Sequence, residues 1–474
     1  MVFSTNVFLF LFLPLFLALY YLLPFRFRSV LILVASYLFY GWWRIDFLGL
    51  FFGVTLWSYL MSLGIVRAQN AGKDQLAKRY MIAGVVGGLS SLAYFKYFNF
   101  GLDSLNALLG TMGASSLSAW QVILPIGISF YVFQAVSYVI DVYRKDALPA
   151  QNFWDFSAFI ALFPQLIAGP VLRYKDVADQ FVERTHTVDK FSEGVLRFMI
   201  GFAKKVMIAD TLAPIADAAF ALPQPTMGDA WLGALAYSIQ LFFDFSGYSD
   251  MAVGLGLMMG FRFMENFNHP YISRSITEFW RRWHISLSSW LRDYLYIPLG
   301  GNRKGKVRTY INLFLTMVLG GLWHGANWTF VLWGAWHGGI LAIEKRLKET
   351  QNRKPMRPYI TIPGTLILVI VGWVFFRAAN VQAAFAFLGA MIGLHGFALS
   401  DAISWQVTGL QLSIMTIAIL IIALSPLWLK HLDSVGEVRK QALSHVHLII
   451  IPIFVLAILR LSAQNFSPFL YFQF

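Results

Sequence analysis

Three histidines stand where their neighbours make chemistry possible. His284 lies in WRRWH, His324 in LGGLWHGANW and His337 in WGAWHGG. The tripeptide WHG thus occurs twice, at 323–325 and 336–338, with its imidazoles 13 residues apart. A neutral imidazole takes a proton from a hydroxyl near neutral pH better than any other side chain. The tryptophan before each histidine excludes water, and the glycine after His324 and His337 lets a backbone or a substrate approach closely. A histidine inside a membrane also commonly bridges two helices by a hydrogen bond, so spacing alone leaves both roles open. On an unbroken helix, 13 residues put His324 and His337 on different faces. Gly320, Gly321 and Gly325 allow a break near His324.

Other chemistries find little support. The 474 residues include no cysteine, which removes disulfides, thiolate nucleophiles and cysteine zinc sites. No G-x-S-x-G elbow, P-loop or HExxH motif occurs. His445 and His447 form a possible metal pair, but no third ligand is near in sequence, and no metal centre is expected. Gly254, Gly256 and Gly260 sit in an apolar run and read as close helix packing, not as a dinucleotide loop.

Carboxylates inside apolar sequence need an explanation. The run 241–259 contains Asp244, Ser246, Ser249 and Asp250. One ionised Asp at a span centre costs about 2.5–3.5 kcal/mol on insertion scales. Arg281, Arg282 and Arg292 are the natural partners. A buried ion-pair network, a substrate role and placement near the membrane surface all remain open for these acids.

The surrounding chain is a membrane protein by composition. It is 58% hydrophobic and 13% charged, against about 45–50% and about 25% in soluble chains. Apolar runs recur at 2–23, 30–66, 80–98, 121–140, 156–170, 195–209, 231–261, 309–342, 361–377, 382–397, 407–429 and 447–461. Several are long enough for two spans, and roughly 11–14 spans are expected at about 20 residues each. The net charge of +13 concentrates in short loops. That distribution fits the positive-inside rule and anionic lipid headgroups, and nucleic acid is not an expected partner. Arg67–Arg79, Gly301–Arg308 and Glu344–Arg357 are the clearest cytoplasmic loops. Val2–Leu23 lacks the basic start and cleavage site of a secretory signal, so it reads as an uncleaved first span with an external N-terminus. Thr277–Tyr296, TEFWRRWHISLSSWLRDYLY, is too polar to span and reads as a helix at the membrane surface or in a protein-lined cavity. The chain reads as an all-α polytopic integral membrane protein with a single domain, 1–474, and a signature core at about 240–345.

These motifs form a recognisable set. NFNHPYISRSITEFWRRWHISLSSWLRDYLYIPLGGNR at 266–303 and LGGLWHGANW at 319–328 resemble the bacterial branch of the membrane-bound O-acyltransferase family. Supporting likenesses are QLFFDFSGYSDMAVGLGLMMGFRFMENFN at 240–268, LPIGISFYVFQAVSYVIDVYR at 124–144, FPQLIAGPV at 163–171, the opening MVFSTNVFLF and the ending SPFLYFQF. The resemblance implies a ring of spans with re-entrant or interfacial helices around a central tunnel, in the bacterial inner membrane. It makes His324 the catalytic histidine and His284 the earlier hallmark position. It gives His337 a less defined supporting place.

The implied activity is O-acetylation of an exopolysaccharide, alginate first and cellulose or another surface polymer second. The implied donor is cytoplasmic acetyl-CoA, with no permanently bound cofactor. The implied partners are periplasmic SGNH-type acetyltransferase proteins. On this reading His324 acts as general base or briefly carries the acetyl group. His284 and the indoles of Trp283 or Trp323 orient the thioester or its oxyanion. Arg303, Lys304, Lys306 and Arg308 attract the anionic donor, although such a loop also fits plain topology. Arg281, Arg282, Arg292 and Asp293 hold their helix in place. Two readings from other classes are a transporter of acetyl groups, for which the expected internal symmetry is missing, and a scaffold that needs the fold but not the imidazole of His324.

Overall fold

In lipid, every backbone polar group must be satisfied inside its own segment, so an apolar chain of this kind folds into helices. The computed structural model describes residues 1–350, 357–434, 436–463 and 469–470; for 427–434 and 436–445 it describes helix membership only. Among the described residues every regular element is a helix. Five are long and apolar enough to cross a membrane: Leu48–Asn70, Asp74–Thr111, Pro358–Arg377, Gly409–Pro426 and Val446–Ala463. Phe8–Leu22 and Val381–Met391 are shorter apolar helices. The class is therefore a multi-pass helical membrane protein, as the composition implies.

Five full-length candidates is fewer than the span count expected from the apolar runs. The difference lies in how those runs fold. The 156–170 run becomes two short helices, Phe153–Ala161 and Phe163–Leu166. The 195–209 run passes from Val188–Ala203 into a π-helical turn, Lys204–Ala209. The runs 30–66 and 309–342 each hold two helices, as their lengths imply. The expected basic loops are also shorter than the charge pattern suggests. Helices continue to Asn70 and restart at Asp74, and Trp328–Thr350 runs through Glu344. Residues 351–356 of that last loop lie outside the described residues.

Backbone contacts group the chain into two units: Met1–Val195 with Ala252–Met264, and Leu196–Met251 with Glu265–Phe474. In the first, Leu48–Asn70 and Asp74–Thr111 form a hairpin that turns at Gly72, where φ is +68°, a value that suits glycine. Ile128–Arg144 packs on both helices and is buried almost throughout. Its Tyr138 hydroxyl meets Ser62 at 3.1 Å.

The second unit contains all three histidines. Lys306–His324 and Trp328–Thr350 form an antiparallel hairpin, the closest helix pair in the unit. Lipid offers apolar helices no hydrophobic reason to associate, so close contact between small residues must hold them. Gly321 faces the Phe330 carbonyl oxygen and Gly334 faces that of Met317 so closely that a Cβ on either would clash with backbone. By contrast, a Cβ on Gly339 would meet nothing within 4 Å.

This contrast sets a test. Gly334→Ala should lower the melting temperature in detergent and the yield of monodisperse protein. Gly339→Ala should be neutral or stabilising by about 0.5–1 kcal/mol, because glycine is a poor helix former. Equal melting temperatures for the two variants would show that the hairpin does not depend on backbone proximity.

Candidate active site

The segment expected as one helix at the membrane surface is broken. Ile276–Arg282 and Ile285–Leu291 are separate helices, followed by a π-helical turn, Arg292–Tyr296. Between the first two, His284 takes a left-handed backbone with φ 45° and ψ 54°. An extended stretch supports the break. Asn268 donates its N–H to the Arg282 carbonyl at 2.9 Å, and Ile285 donates its own to the Asn266 carbonyl at 2.9 Å. The Asn266 side-chain oxygen accepts from the Ser286 N–H at 3.2 Å and from its hydroxyl at 2.9 Å. That oxygen also lies 3.1 Å from His284 Nδ1.

The start of the first short helix is held from two sides. Ser275 Oγ accepts from the Glu278 N–H at 3.0 Å, the usual job of a serine N-cap. Glu344, on the second helix of the hairpin, accepts from the N–H groups of Ile276 and Thr277 at 2.7 and 2.9 Å and from the Thr277 hydroxyl at 2.6 Å. A carboxylate on a helix N-terminus also complements its dipole.

These elements bring two of the histidines together. His324 ends its helix, with Gly325 extended behind it, so the break anticipated from the glycines is present. The rings of His324 and His284 lie 6.4 Å apart, centroid to centroid. Trp333 and Phe376 each stand 5.1 Å from His324, and Phe245 stands 4.7 Å from His284. Trp323 lies 6.2 Å from His284. His324 lines a cavity of about 450 Å³ with Trp280, Arg281, Ser288, Tyr296 and Trp333. One face of the Lys306–His324 helix, from Leu313 to His324, forms a wall of that cavity. His284 is fully buried behind it.

His337 occupies a different position. It is 0% exposed, 5.1 Å from Trp333 and 5.3 Å from Trp280, and neither ring nitrogen has a hydrogen-bond partner. Gly372 makes room for its ring: a Cβ there would lie 2.5 Å from Nε2. Trp333 touches both His324 and His337: His337 stands one turn along the same helix, and the hairpin brings His324 to the same indole.

Other expected site residues are distributed differently. Trp283 is a core residue, 4.9 Å from Trp373 and 5.5 Å from Phe279, ring to ring. Arg282 pairs with Glu278 at 2.8 Å and Arg292 with Asp293 at 2.7 Å. Arg281 is exposed on the cavity wall. The expected pairing of these arginines with the buried acids is incorrect. Asp244 pairs with Lys205 at 2.8 Å, and Asp250 with Arg197 and Lys204 at 2.6 Å each. Residues 39–53 positions earlier in the chain supply these cations because helix packing, not sequence proximity, decides what faces a buried carboxylate. Lys205 also pairs with Asp210 at 2.6 Å, and Asp244 accepts the Leu470 N–H at 3.0 Å. The acids therefore form a structural network.

Among the described residues no group of three or more His, Asp or Glu could hold a metal ion. The side chain of His445 lies outside the described residues. Sequence reasoning passed over Asn266 and Glu344. An Asn three residues before the HP of NFNHP was the available local signal for the first; the second has none, because its partners lie 67 and 68 residues away.

Comparison with known proteins follows this geometry. The model of MBOAT, the membrane-bound O-acyltransferase family, matches residues 144–384, which include all three histidines. The chain is 57% identical to the probable alginate O-acetylase AlgI of Pseudomonas putida, over 100% of each chain. It is 56% identical to that of Azotobacter vinelandii, again over 100% of each. It is 35% identical to the peptidoglycan O-acetyltransferase of Helicobacter pylori, over 84% of this chain and 81% of the relative.

The ion-pair network makes a prediction about stability. Lys205 is 2% exposed, whereas Lys204 is 28% exposed at its side chain. Lys205→Met should cost about 3–5 kcal/mol, the usual cost of stranding a buried charge, and adding Asp244→Asn should recover part of it. Lys204→Met should cost clearly less. Denaturation in detergent would measure all three, and equal losses for the two lysines would refute the ranking.

Proposed function

The chain belongs to the membrane-bound O-acyltransferase family, and we propose that it takes acetyl groups from cytoplasmic acetyl-CoA and delivers them across the bacterial inner membrane for O-acetylation of alginate. The observation that carries the reading is the position of His324: an imidazole on the wall of a cavity of about 450 Å³, backed by aromatic rings. The full-length likeness to probable alginate O-acetylases, at 57% and 56% identity, supports alginate as the polymer. The peptidoglycan O-acetyltransferase relative supports the same chemistry on another surface polymer as the second reading.

In the proposed reaction, the acceptor hydroxyl oxygen bonds to the acetyl carbonyl carbon as its proton passes to His324. The thioester C–S bond breaks, and the departing thiolate takes up the proton that His324 holds. The acceptor is a sugar hydroxyl or a hydroxyl of a periplasmic SGNH-type partner. Water is kept out by Trp280, Trp333 and Phe376, which protects the thioester from hydrolysis. His284 supports His324 from the buried side. His337 shapes the wall through Trp333, without touching substrate.

The exposed Arg303, Lys304, Lys306 and Arg308 sit at the start of the helix that ends in His324. Its 19 residues span about 27 Å at 1.5 Å per residue. The basic loop therefore suits attraction of the donor at the membrane face. The cavity, which runs along the helix from Leu313, suits the arm that carries the acetyl group. Arg281 supplies a cation on the cavity wall.

The test is complementation of a deletion strain with wild type or His324→Gln at matched membrane levels, followed by assay of ester-linked acetyl on the purified exopolysaccharide and identification of its sugars. Loss of a general base typically costs about 10²–10⁴ in rate, so the variant should leave the polymer at the unacetylated level of the deletion. Full restoration by His324→Gln would put the scaffold reading in its place, and sugars other than those of alginate would replace the acceptor.

A further inference from the structure

We infer that Asn266 is a positioning residue that holds His284 as one tautomer, with Nδ1 protonated and Nε2 left as a hydrogen-bond and proton acceptor. The inference deepens the reading of His284 as a site residue and rests on it. The argument begins with the amide. The Ser286 backbone N–H can only donate, and it reaches Asn266 Oδ1 at 3.2 Å. The Ser286 hydroxyl reaches the same atom at 2.9 Å. Turning the amide over would set its NH₂ against the backbone N–H, donor against donor, so the oxygen must face this way.

The imidazole follows from the amide. His284 Nδ1 lies 3.1 Å from that same oxygen. An unprotonated Nδ1 would oppose a lone pair of the amide oxygen and have only the Ser286 hydroxyl, at a longer 3.4 Å and already donating to that oxygen at 2.9 Å, whereas a protonated Nδ1 donates to the oxygen itself. In a neutral ring the proton is then absent from Nε2. That nitrogen is buried and has no hydrogen-bond partner. His284 is 0% exposed and Asn266 is 1% exposed, so solvent does not rearrange the pair.

The left-handed backbone serves the same end. A non-glycine residue in this region costs of the order of 1–3 kcal/mol and persists where surrounding structure determines it. Here the determining contacts come from Asn266, through its carbonyl to Ile285 and its side chain to Ser286. One residue thus fixes the backbone turn, the ring direction and the tautomer.

On this inference His284 has a role other than donation to an oxyanion. With its lone pair at Nε2 it cannot donate to an oxyanion; it accepts. Its ring neighbours are Phe245, Trp323 and His324, of which His324 alone titrates. The ring that carries the acceptor nitrogen therefore lies 6.4 Å, centroid to centroid, from the imidazole that meets the cavity, and within this inference it takes a proton or a hydrogen bond during transfer.

The test uses membranes that contain the full-length protein, supplied with radiolabelled acetyl-CoA and the host periplasmic fraction, with acetyl transfer followed against pH. Asn266→Leu keeps the volume and removes the acceptor; transfer should fall about 10- to 100-fold, the scale on which partners that orient a functional imidazole act. Asn266→Asp keeps an acceptor for Ser286 and Nδ1 and adds a negative charge beside the ring. It should retain most of the activity and move the rising limb of the pH profile up by about one unit, because a nearby carboxylate favours the protonated ring. Should the leucine variant fail to reach the membrane, the aspartate variant decides alone. An unshifted profile in the aspartate variant, or full activity in the leucine variant, overturns the inference. His284→Gln and His324→Gln are run alongside. Full activity of His284→Gln would instead overturn the reading of His284 itself.

Discussion

The turn of the chain at His284 is the constraint around which the candidate site is built. A regular helix through Thr277–Tyr296 would hold the chain on either side of His284 to one axis. The left-handed residue instead gives the two short helices independent directions, and Trp280 and Arg281 from one and Ser288 from the other line the cavity. The imidazole at the corner turns inward. Such a corner inside a membrane protein exposes helix ends, and each end here is satisfied locally. Asn266 and Asn268 supply hydrogen bonds at the break, and Ser275 and Glu344 supply them at the start. Unsatisfied groups at this depth would each cost several kcal/mol, so the polar residues around the corner are part of what keeps it closed.

A second constraint concerns where charge is allowed. Asp244 and Asp250 are buried, and an isolated buried carboxylate is expensive. Their partners Lys204 and Lys205 come from a π-helical turn, which is one residue wider than an α-turn. Successive lysines there serve different acids: Lys204 meets Asp250, and Lys205 meets Asp244 and Asp210. The charges that look most chemical in the sequence are thereby spent on holding helices in register. The site itself is left with imidazoles, indoles and hydroxyls, plus the exposed Arg281 and Arg292.

Much of this was legible in the residues. Apolar runs located the helices, and the lengths of 30–66 and 309–342 announced pairs. The glycines around His324 announced a break, because glycine supplies both conformational freedom and close approach. The motifs around 266–328 named the family. What stayed hidden depends on contacts across long sequence separation. Nothing near Asp244 points to Lys205, and nothing near Thr277 points to Glu344 some 67 residues on. The corner at His284 was hidden for another reason. WRRWHISL has ordinary helical composition, and the residue that turns it, Asn266, lies 18 positions upstream. Composition likewise counts apolar length but not its interruption, so the apolar runs and the long apolar helices of the structure do not correspond one to one.

The three histidines share one aromatic neighbourhood yet differ in access, and access separates their chemistry. His337 has rings on its sides and no polar partner at either nitrogen, and its packing against Gly372 leaves no space for a substrate atom. Its contribution is volume and stiffness behind Trp333. His284 is sealed from the cavity, but its protonation is determined by Asn266 on one side and its ring lies beside His324 on the other. His324 has the cavity before it and aromatic rings behind. In the proposed reaction a thioester meets a base without meeting water, which calls for one imidazole at the boundary with the others behind a dry wall. The WHG repeat thus produces unlike residues. The hairpin folds the two tripeptides onto one indole, and only the copy at the helix end faces open space.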